Sequence, residues 1–533
     1  MALEIPTKFN IAAWFIDRPA DAHPERVAIL GEPASVTYGE LRAMANRAGH
    51  ALGASGVGRG DRVLLALSDS AEFIAAFFGA AKIGAIAVPV NPFARAADFA
   101  YWLRDSGARL AVVSGIATAE FQQALRSDDL PLRQTVLAHV SRPDAAATTH
   151  AAAQAAYKNT RQPWTFWEEW LAHAPQELAA CDTVASDPAF FLYTSGSTGE
   201  PKAAVHQHKD MLVTTECFAK AVMQIGPDDR TLSVSKLFFA YGLGNAMYFP
   251  LAAGASTVLL PERPKPDRVL EIVARRRPTI FYSVPTFYAA LLQAAEGGAA
   301  ADFSSVRLAV SAGEALPVEI FARFKKRFGL EILDAIGSTE MLHMFISGRP
   351  GAIRPGSCGM PLANYDACIV DDGGREVADG EVGNLWVRGA SACPLYWNKP
   401  EQTARARNGE WLITGDKFYR DADGYYFYCG RADDMLKVSG LWVAPGEVEN
   451  ALLSHPAVSE AAVVGKLDGA GLTRAVAYVV AREAKEGSAD LGAEIQRFVK
   501  SKLVPYKCPQ EIHFVCELPK TATGKIQRFK LRS

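Results

Sequence analysis

Over the first 430 or so residues, short apolar runs alternate with longer stretches whose apolar positions recur at helical spacing. "DRVLLALS" (61–68) reads as a buried strand, "SAEFIAAFFGAAKIG" (70–84) as an apolar-faced helix, and "AIAVPVNP" (85–92) as the next strand. The cycle returns in "TIFYSVP" (279–285), "TFYAALLQAAEGG" (286–298), "VRLAVSAGE" (306–314), "PVEIFARFKKRFG" (317–329) and "LEILDAIGS" (330–338). This alternation predicts an α/β fold with parallel sheets covered on both faces. Ligands of such sheets sit at the carboxyl ends of strands, in loops entering helices. "SAGEALP" and "AIGSTE" occupy that position.

From about residue 354 the pattern shifts to short strands with turn residues: "DACIVDDGGREV", "VGNLWVRG" and "GYYFYCGR". This predicts a small barrel or sheet packed beside the α/β part. After Arg431 it shifts again. "GEVENALLSHP" and "AEIQRFVKSKLV" read as helices, and "SEAAVVGK", "RAVAYVVARE" and "EIHFVCEL" as strands. That is a compact α+β unit of about 100 residues, large enough to fold alone. "GRADDMLKVSG" joins it to the rest as a linker or hinge. The Ala-rich stretch 141–162 is read as a surface excursion without function. Leu237 to Leu260 carries no charged residue across 24 positions, long enough for a membrane span. "AYGLGN", Pro250 and "AAGAST" break it into a loop, a short helix and a strand, so a buried core segment is expected.

A length of 533 residues implies at least two domains. Charged and hydrophobic fractions of 21% and 49% are those of a globular protein, and a formal charge of −2 argues against nucleic acid as the main partner. The eight cysteines form no C-x-x-C pair, which suggests neither a disulfide framework nor a zinc site and fits a reducing cytosol. "MALEIPTKFN" lacks the pattern of a signal peptide, and "KLRS" is not a peroxisomal or ER-retention ending. A cytoplasmic location without a membrane partner is therefore expected.

Four segments carry candidate chemistry. "YTSGSTGEPK" (193–202) packs Gly196, Gly199 and the hydroxyls of Thr194, Ser195, Ser197 and Thr198 ahead of Lys202. It is not the common nucleotide loop, because Pro201 and Ala203 stand where G-x-x-x-x-G-K-[ST] needs glycine and a hydroxyl. Small residues still let successive N–H groups surround an anion, and Lys202 adds a mobile positive charge. "GSTE" (337–340) ends in Glu340, which could hold Mg²⁺ beside phosphates or cap a following helix. Asp416 and Arg431 suit ribose hydroxyls and a phosphate, or else a surface ion pair. "PKTATGKIQR" (519–528) sets Lys525 in a Gly/Thr loop after the last strand.

These segments, in this order and at these separations, resemble the acyl-adenylate-forming superfamily of acyl-CoA synthetases, adenylation domains and luciferases, from about residue 10 to the end. The resemblance implies a large N-terminal domain of α/β subdomains plus a barrel (1–430), a hinge (431–435) pivoting at Asp433, and a mobile C-terminal domain (436–533). It implies two steps: a carboxylate and MgATP give acyl-AMP and pyrophosphate, and a thiol, coenzyme A, then displaces AMP. By the same resemblance, 194–202 would hold the β- and γ-phosphates. Ser311, Ala312, Gly313 and Glu314, with Asp334, Ala335, Ile336 and Gly337, would line the adenine; Ser338 and Tyr428 join the nucleotide site. Thr339 would meet the α-phosphate, Glu340 the Mg²⁺, Asp416 the ribose, and Arg431 the ribose or phosphate. Lys525 would bridge the carboxylate and α-phosphate oxygens in adenylation only. Lys437, Ser439 and Gly440 would guide the thiol once the small domain has turned.

Within the superfamily, "KLFFAYGLGNAMYFPL" (236–251) and "AIGSTEMLHMFIS" (335–347) resemble the benzoate-CoA ligase group. Tyr241 stands where many relatives carry histidine, which suggests a tyrosine wall. Ala240, Tyr241, Gly242, Ile336 and His343 form the expected pocket, a flat slot for an aromatic ring. His343 would contact the acid or is a satisfied core histidine. Expected partners are benzoate or a small hydroxy-, amino- or halo-benzoate, ATP and CoA, in a monomer or homodimer. A medium-chain fatty acyl ligase is the near alternative.

Overall fold

The computed structural model describes residues 3–31, 34–127, 129–138, 164–194, 200–438, 441–467, 473–482, 489–520 and 526–532. Seven strands form one sheet, in the order Trp164–Phe166, Gln134–Ala138, Leu110–Ser114, Arg62–Ala66, Ile86–Pro89, Pro188–Thr194, Lys202–Gln207. All pairs are parallel except the last, an antiparallel pair at the sheet edge. Helices Tyr38–Ala54 and Ala71–Lys82 pack together beside this sheet. The first starts at a capping box: Thr37 Oγ1 accepts from the Glu40 N–H while Glu40 accepts from the Thr37 N–H. Ser70 Oγ caps the second. The helices meet at Gly79, where a β-carbon would stand 2.8 Å from the Ala45 carbonyl and the Gly49 nitrogen. Ten of the twelve residues of Ala71–Lys82 are buried, so the helix is enclosed and not merely apolar-faced. Its buried Lys82 ammonium donates to Asp17 Oδ1 at 2.6 Å and to the Leu178 carbonyl at 2.8 Å.

The second sheet has nine strands: Met360–Pro361, Met344–Ser347, Ile332–Gly337, Leu308–Ser311, Ile280–Ser283, Arg230–Ser233, Ser256–Val258, Val27–Ile29 and Val36–Thr37. Its centre is parallel and both edges antiparallel. One face packs on helices Pro285–Glu296 and Val318–Phe328 through edge-to-face contacts among Phe281, Tyr288, Phe303 and Phe324. The other face contributes Tyr282, Val310 and Leu333 to a core shared with Phe73, Phe77 and Phe190 of the first sheet's layer. Leu237 to Ala255 lies in this core as short helical pieces, Ala240–Leu243, Gly244–Tyr248 and Phe249–Ala252, and strand Ser256–Val258 follows, its Val258 packing with Leu260 on the sheet's opposite face. Among the described residues no helix is long and apolar enough to cross a membrane.

The β-rich part is an antiparallel sheet of Tyr365–Val370, Gly383–Gly389, Trp411–Arg420 and Arg407–Asn408, with Tyr426–Arg431 also on Trp411–Arg420. Of the two expected forms it takes the open one, since no ladder among the described residues closes it into a barrel. A single turn, Ala432–Asp434, leads to the hairpin Leu436–Val438/Leu441–Val443. Beyond it, strands Val458–Leu467, Thr473–Ala481 and Glu511–Phe514 carry helices Pro445–Leu453 and Ala489–Lys502 around Val448, Leu452, Val463, Ile495 and Val499. Arg528 holds both carboxylate oxygens of the mostly buried Glu449, at 2.9 and 2.8 Å. Arg532 ties the C-terminal helix Phe529–Arg532 to the turn through the Asp434 carboxylate and the Asp433 carbonyl.

Candidate active site

"YTSGSTGEPK" spans the turn of the edge hairpin, with Thr194 paired to Lys202 in register. Ser195, Gly196, Ser197, Thr198 and Gly199 lie outside the described residues. A strand, not a helix, follows the loop, so no helix N-terminus supplies N–H groups here. Aromatic side chains fix the base of the hairpin: Tyr193 donates to Asp105 Oδ2 at 2.7 Å, and Tyr101 to the Pro201 carbonyl at 2.6 Å. The segment 395–397 lies alongside, with Trp397 donating from its backbone to the Ala203 carbonyl and from its indole to that of Asp105. Lys202 Nζ stands 4.4 Å from the ring centre of Tyr396.

The phenol of Tyr396 donates to Glu340 Oε1 at 2.6 Å. Glu340 caps no helix: Ile332–Gly337 turns back through 338–343 into the antiparallel strand Met344–Ser347. "AIGSTE" therefore enters a hairpin, contrary to the sequence expectation, whereas "SAGEALP" does lead into helix Val318–Phe328. The tight turn needs Leu342 at φ +66°, a costly conformation for a bulky residue, and Ser338 Oγ accepts from the Met341 N–H. Gly337 is obligatory, because a β-carbon there would stand 2.5 Å from the His343 carbonyl. The Thr339 carbonyl accepts from His206 Nε2 at 2.8 Å, and His206 Nδ1 lies 2.9 Å from Asp210 Oδ2.

Ser311 ends its strand and pairs in parallel register with Asp334, the third residue of Ile332–Gly337. Both are buried, and Ser311 Oγ and Asp334 Oδ1 have no partner among the described residues. Burial pushes the Asp334 carboxyl up to about 8, against the Leu316 and Ala335 N–H groups and the Cys358 thiol. Ala312 is buried, Gly313 adopts φ +92°, and Glu314 Oε1 accepts from the Ile526 N–H at 3.2 Å. Thus the residue after Lys525 reaches the strand-end loop, while Lys525 itself lies outside the described residues. Asp416 Oδ1 lies 3.0 Å from Arg431 Nη1, a cross-strand pair in which Asp416 is largely buried. Cys358 links the two acids: its Sγ is 3.9 Å from Asp334 Oδ2, and burial first, then Asp334 and Asp416, push its thiol up. Burial raises the nearby Tyr428 phenol, which packs edge-on to Phe418. Ser439, Gly440 and the side chain of Lys437 lie outside the described residues.

Ala240, Tyr241 and Gly242 begin the short helix Ala240–Leu243. The Tyr241 phenol donates to the Ser283 and Val310 carbonyls, both at 3.3 Å, which fixes the ring against two strand ends. Gly242 cannot be replaced easily, since a β-carbon would meet the Lys236 carbonyl at 2.1 Å. The Lys236 ammonium is itself buried, 3.5 Å from Asp69 Oδ2 and bonded to the Leu260 and Glu262 carbonyls. His343 is 2% exposed, among the rings of Phe249 (4.5 Å), Phe218 (5.4 Å) and Tyr241 (5.8 Å). Its Nε2 lies 3.2 Å from Asn245 Oδ1, and burial drives its pKa down to about 3, so the ring is neutral. Ile336 is half-buried on the adjoining strand.

Contacts thus bring Lys202, Thr339, Glu340, Asp334, Asp416, Arg431 and Glu314 to one region at the strand ends. Sequence reasoning missed Tyr396, Trp397, His206, Asp210 and Asn245. Only the aromatic pair in the turn-rich "LYWNKP" offered a signal, and it named no partner. No cluster of three metal-ligating side chains occurs among the described residues.

A site assembled from the strand ends of one α/β body and met by a loop of a small α+β unit is the architecture of acyl-adenylate-forming enzymes. The chain belongs to the AMP-binding enzyme family, which matches residues 16–397, and the family's C-terminal domain matches residues 447–525. It is 41% identical to a benzoate–CoA ligase of Thauera aromatica, over 100% of this chain and 97% of that one. Among solved structures, the anthranilate CoA ligase AuaEII in complex with anthranoyl-AMP superposes with a TM-score of 0.91 at 38% identity, covering 99% of this chain and 97% of that one. A benzoate CoA ligase from Burkholderia xenovorans LB400 gives 0.87 at 41% identity, covering 98% and 100%.

Proposed function

We propose that this protein is an AMP-forming aryl acid–CoA ligase acting on benzoate or a small substituted benzoate. The observation that carries the reading is its likeness, over the whole chain, to benzoate and anthranilate CoA ligases. An acid carboxylate oxygen attacks the α-phosphorus of ATP, and the bond to pyrophosphate breaks. The CoA sulfur then attacks the acyl carbonyl, and the bond to AMP breaks. A carboxylate is a poor acyl donor, and adenylate is the leaving group that cures this.

The hairpin turn 194–202 holds the β- and γ-phosphates through its amides, hydroxyls and Lys202. Ser311 to Glu314 and Asp334 to Gly337 line the adenine, where Ser311 Oγ and Asp334 Oδ1, without a partner among the described residues, suit an exocyclic amine. Asp416 takes the ribose hydroxyls with Arg431 beside it. Thr339 meets the α-phosphate. Magnesium, when bound with the nucleotide, neutralises phosphate charge; Glu340 would hold it, oriented by Tyr396 on Oε1. The ring of the acid lies against Ala240, Tyr241, Gly242, Ile336 and His343. Lys525 bridges carboxylate and α-phosphate in the first step, then leaves as residues 436–533 turn about Asp433. Lys437, Ser439 and Gly440 line the thiol's path after that turn. The free cysteines among the described residues support a cytosolic location.

The test is pyrophosphate release across aryl and alkyl acids, with and without CoA. Release with benzoates, and thioester only when CoA is present, is expected. Release confined to medium-chain alkyl acids would overturn the aryl reading.

A further inference from the structure

His206 and Asp210 lie outside every role assigned above, yet both are completely buried. His206 is near the end of strand Lys202–Gln207, and Asp210 is in the first turn of helix His208–Thr214. The Gln207 N–H donates to Asp210 Oδ2 at 3.0 Å, the ordinary duty of a capping residue. The same oxygen faces His206 Nδ1 at 2.9 Å, and Oδ1 has no partner among the described residues. Phe190 lies nearly parallel to the imidazole, 5.1 Å away and 19° off its plane, and fixes its orientation. The other ring nitrogen, Nε2, is 2.8 Å from the carbonyl oxygen of Thr339, 133 residues away in sequence, which also accepts from the Leu342 N–H at 3.0 Å within the turn.

A carbonyl can only accept, so Nε2 carries a hydrogen. Nδ1 then shares one proton with the Asp210 carboxylate, and the tautomer is fixed by the pair. The peptide that follows the Thr339 carbonyl is planar and trans, which directs the Glu340 N–H opposite to the bond with His206. No group among the described residues accepts from that N–H. A hydrogen bond at the oxygen end of a peptide polarises the N–H at its other end, and more so in a dry site.

We propose that His206, held by Asp210, is a positioning residue for adenylation: it fixes and polarises the Thr339–Glu340 peptide so that the amide on the far side donates to the α-phosphate oxygens as charge develops there. The inference rests on the adenylate-forming reading of the site. It adds a buried pair behind the "GSTE" turn that touches neither substrate and acts through one peptide unit. A bridge that only joined the two sheets would be indifferent to which atom the imidazole donor reached.

The test is benzoate-dependent ATP–pyrophosphate exchange by the full-length protein carrying His206→Phe, His206→Gln or Asp210→Asn, with melting temperature measured for each. Loss of a direct oxyanion donor lowers kcat by about 10²–10³-fold, so an indirect one is expected to lower it by about tenfold to a hundredfold. His206→Phe should show this loss in kcat, with KM for benzoate changed by less than about twofold. His206→Gln keeps an N–H donor for the Thr339 carbonyl and should recover most of the rate, and Asp210→Asn should fall between. A folded His206→Phe protein at the wild-type rate would overturn the proposal, as would a loss confined to KM for benzoate, or a Gln variant as slow as Phe. If His206→Phe does not fold, Asp210→Asn at full rate overturns it instead. Absence of exchange in the wild type counts against the aryl-acid reading; wild-type exchange unmoved by the variants counts against this inference alone.

Discussion

The proposed phosphate side and the proposed ring side of the site each contain a buried histidine, and the two are built on opposite principles. His206 is enclosed by groups that complete its hydrogen bonds, a carboxylate on one nitrogen and a carbonyl on the other. His343 is enclosed by Phe218, Phe249 and Tyr241, with Asn245 on one nitrogen and no partner on Nδ1 among the described residues. A paired ring can hold backbone in place, because its donors are directed. A ring in an apolar cage is forced neutral and serves as surface, which suits a slot for an uncharged aromatic group. Burial alone therefore says little about what a histidine does; the groups around it decide.

That contrast predicts that phosphate-side changes act on adenylation rate and ring-side changes on acid affinity. Lys525→Ala should have the largest effect, cutting acyl-AMP formation by about 10²–10³-fold while thioester formation from supplied acyl-AMP survives; equal loss of both half-reactions would refute a lysine that serves one step. Glu340→Gln should lower kcat/KM for MgATP by about a hundredfold and shift the magnesium optimum upward, read by titrating Mg²⁺ at fixed ATP. On the ring side, Tyr241→Ala should raise KM for benzoate by about tenfold or more and hardly change KM for ATP. Parallel changes would remove Tyr241 from the slot. The smallest effect concerns stability. The His343 pKa of about 3 lies below its ordinary value near 6.5, so the unfolded chain takes up the proton first as pH falls. His343 stabilises fully above about pH 6.5 and loses up to ~1.4 kcal/mol per pH unit below it, down to about pH 3. Denaturant unfolding at pH 4 to 7 should show a shallower acid slope in His343→Phe; an unchanged slope would mean that the ring is charged in the folded state.

Much of this is legible in the sequence. Short apolar runs and helical spacing located strand Ile332–Gly337 and helix Val318–Phe328, and the helical pattern of 493–504 found most of helix Ala489–Lys502. The ordered motifs marked the residues that converge at the strand ends. Sequence could not show that "YTSGSTGEPK" turns between antiparallel strands, because "KAAVHQ" is too short and mixed to announce an edge strand. Nor could it show that "GSTE" enters a hairpin, since the turn depends on a leucine at positive φ, which propensity disfavours. The histidines of "VHQH" look interchangeable in sequence. Yet His206 reaches Thr339, whereas His208 Nδ1 accepts from the Ile11 N–H and burial lowers its pKa to about 4. Contacts across 133 residues depend on the packing of two sheets, which no local pattern encodes.

Tyr396 stands between the two opposite charges of the site, its ring face toward Lys202 and its hydroxyl on Glu340. It acts as an insulator. Without it the ammonium and carboxylate could collapse into a direct ion pair, and an incoming nucleotide would have to break that pair before binding. With it, each charge is quieted by a neutral group and remains addressable. On the proposed reading, a phosphate would displace only a cation–π contact, about 0.5–2 kcal/mol, to recruit the lysine. That arrangement would leave both groups free, on the same reading, to meet an anion and a cation together.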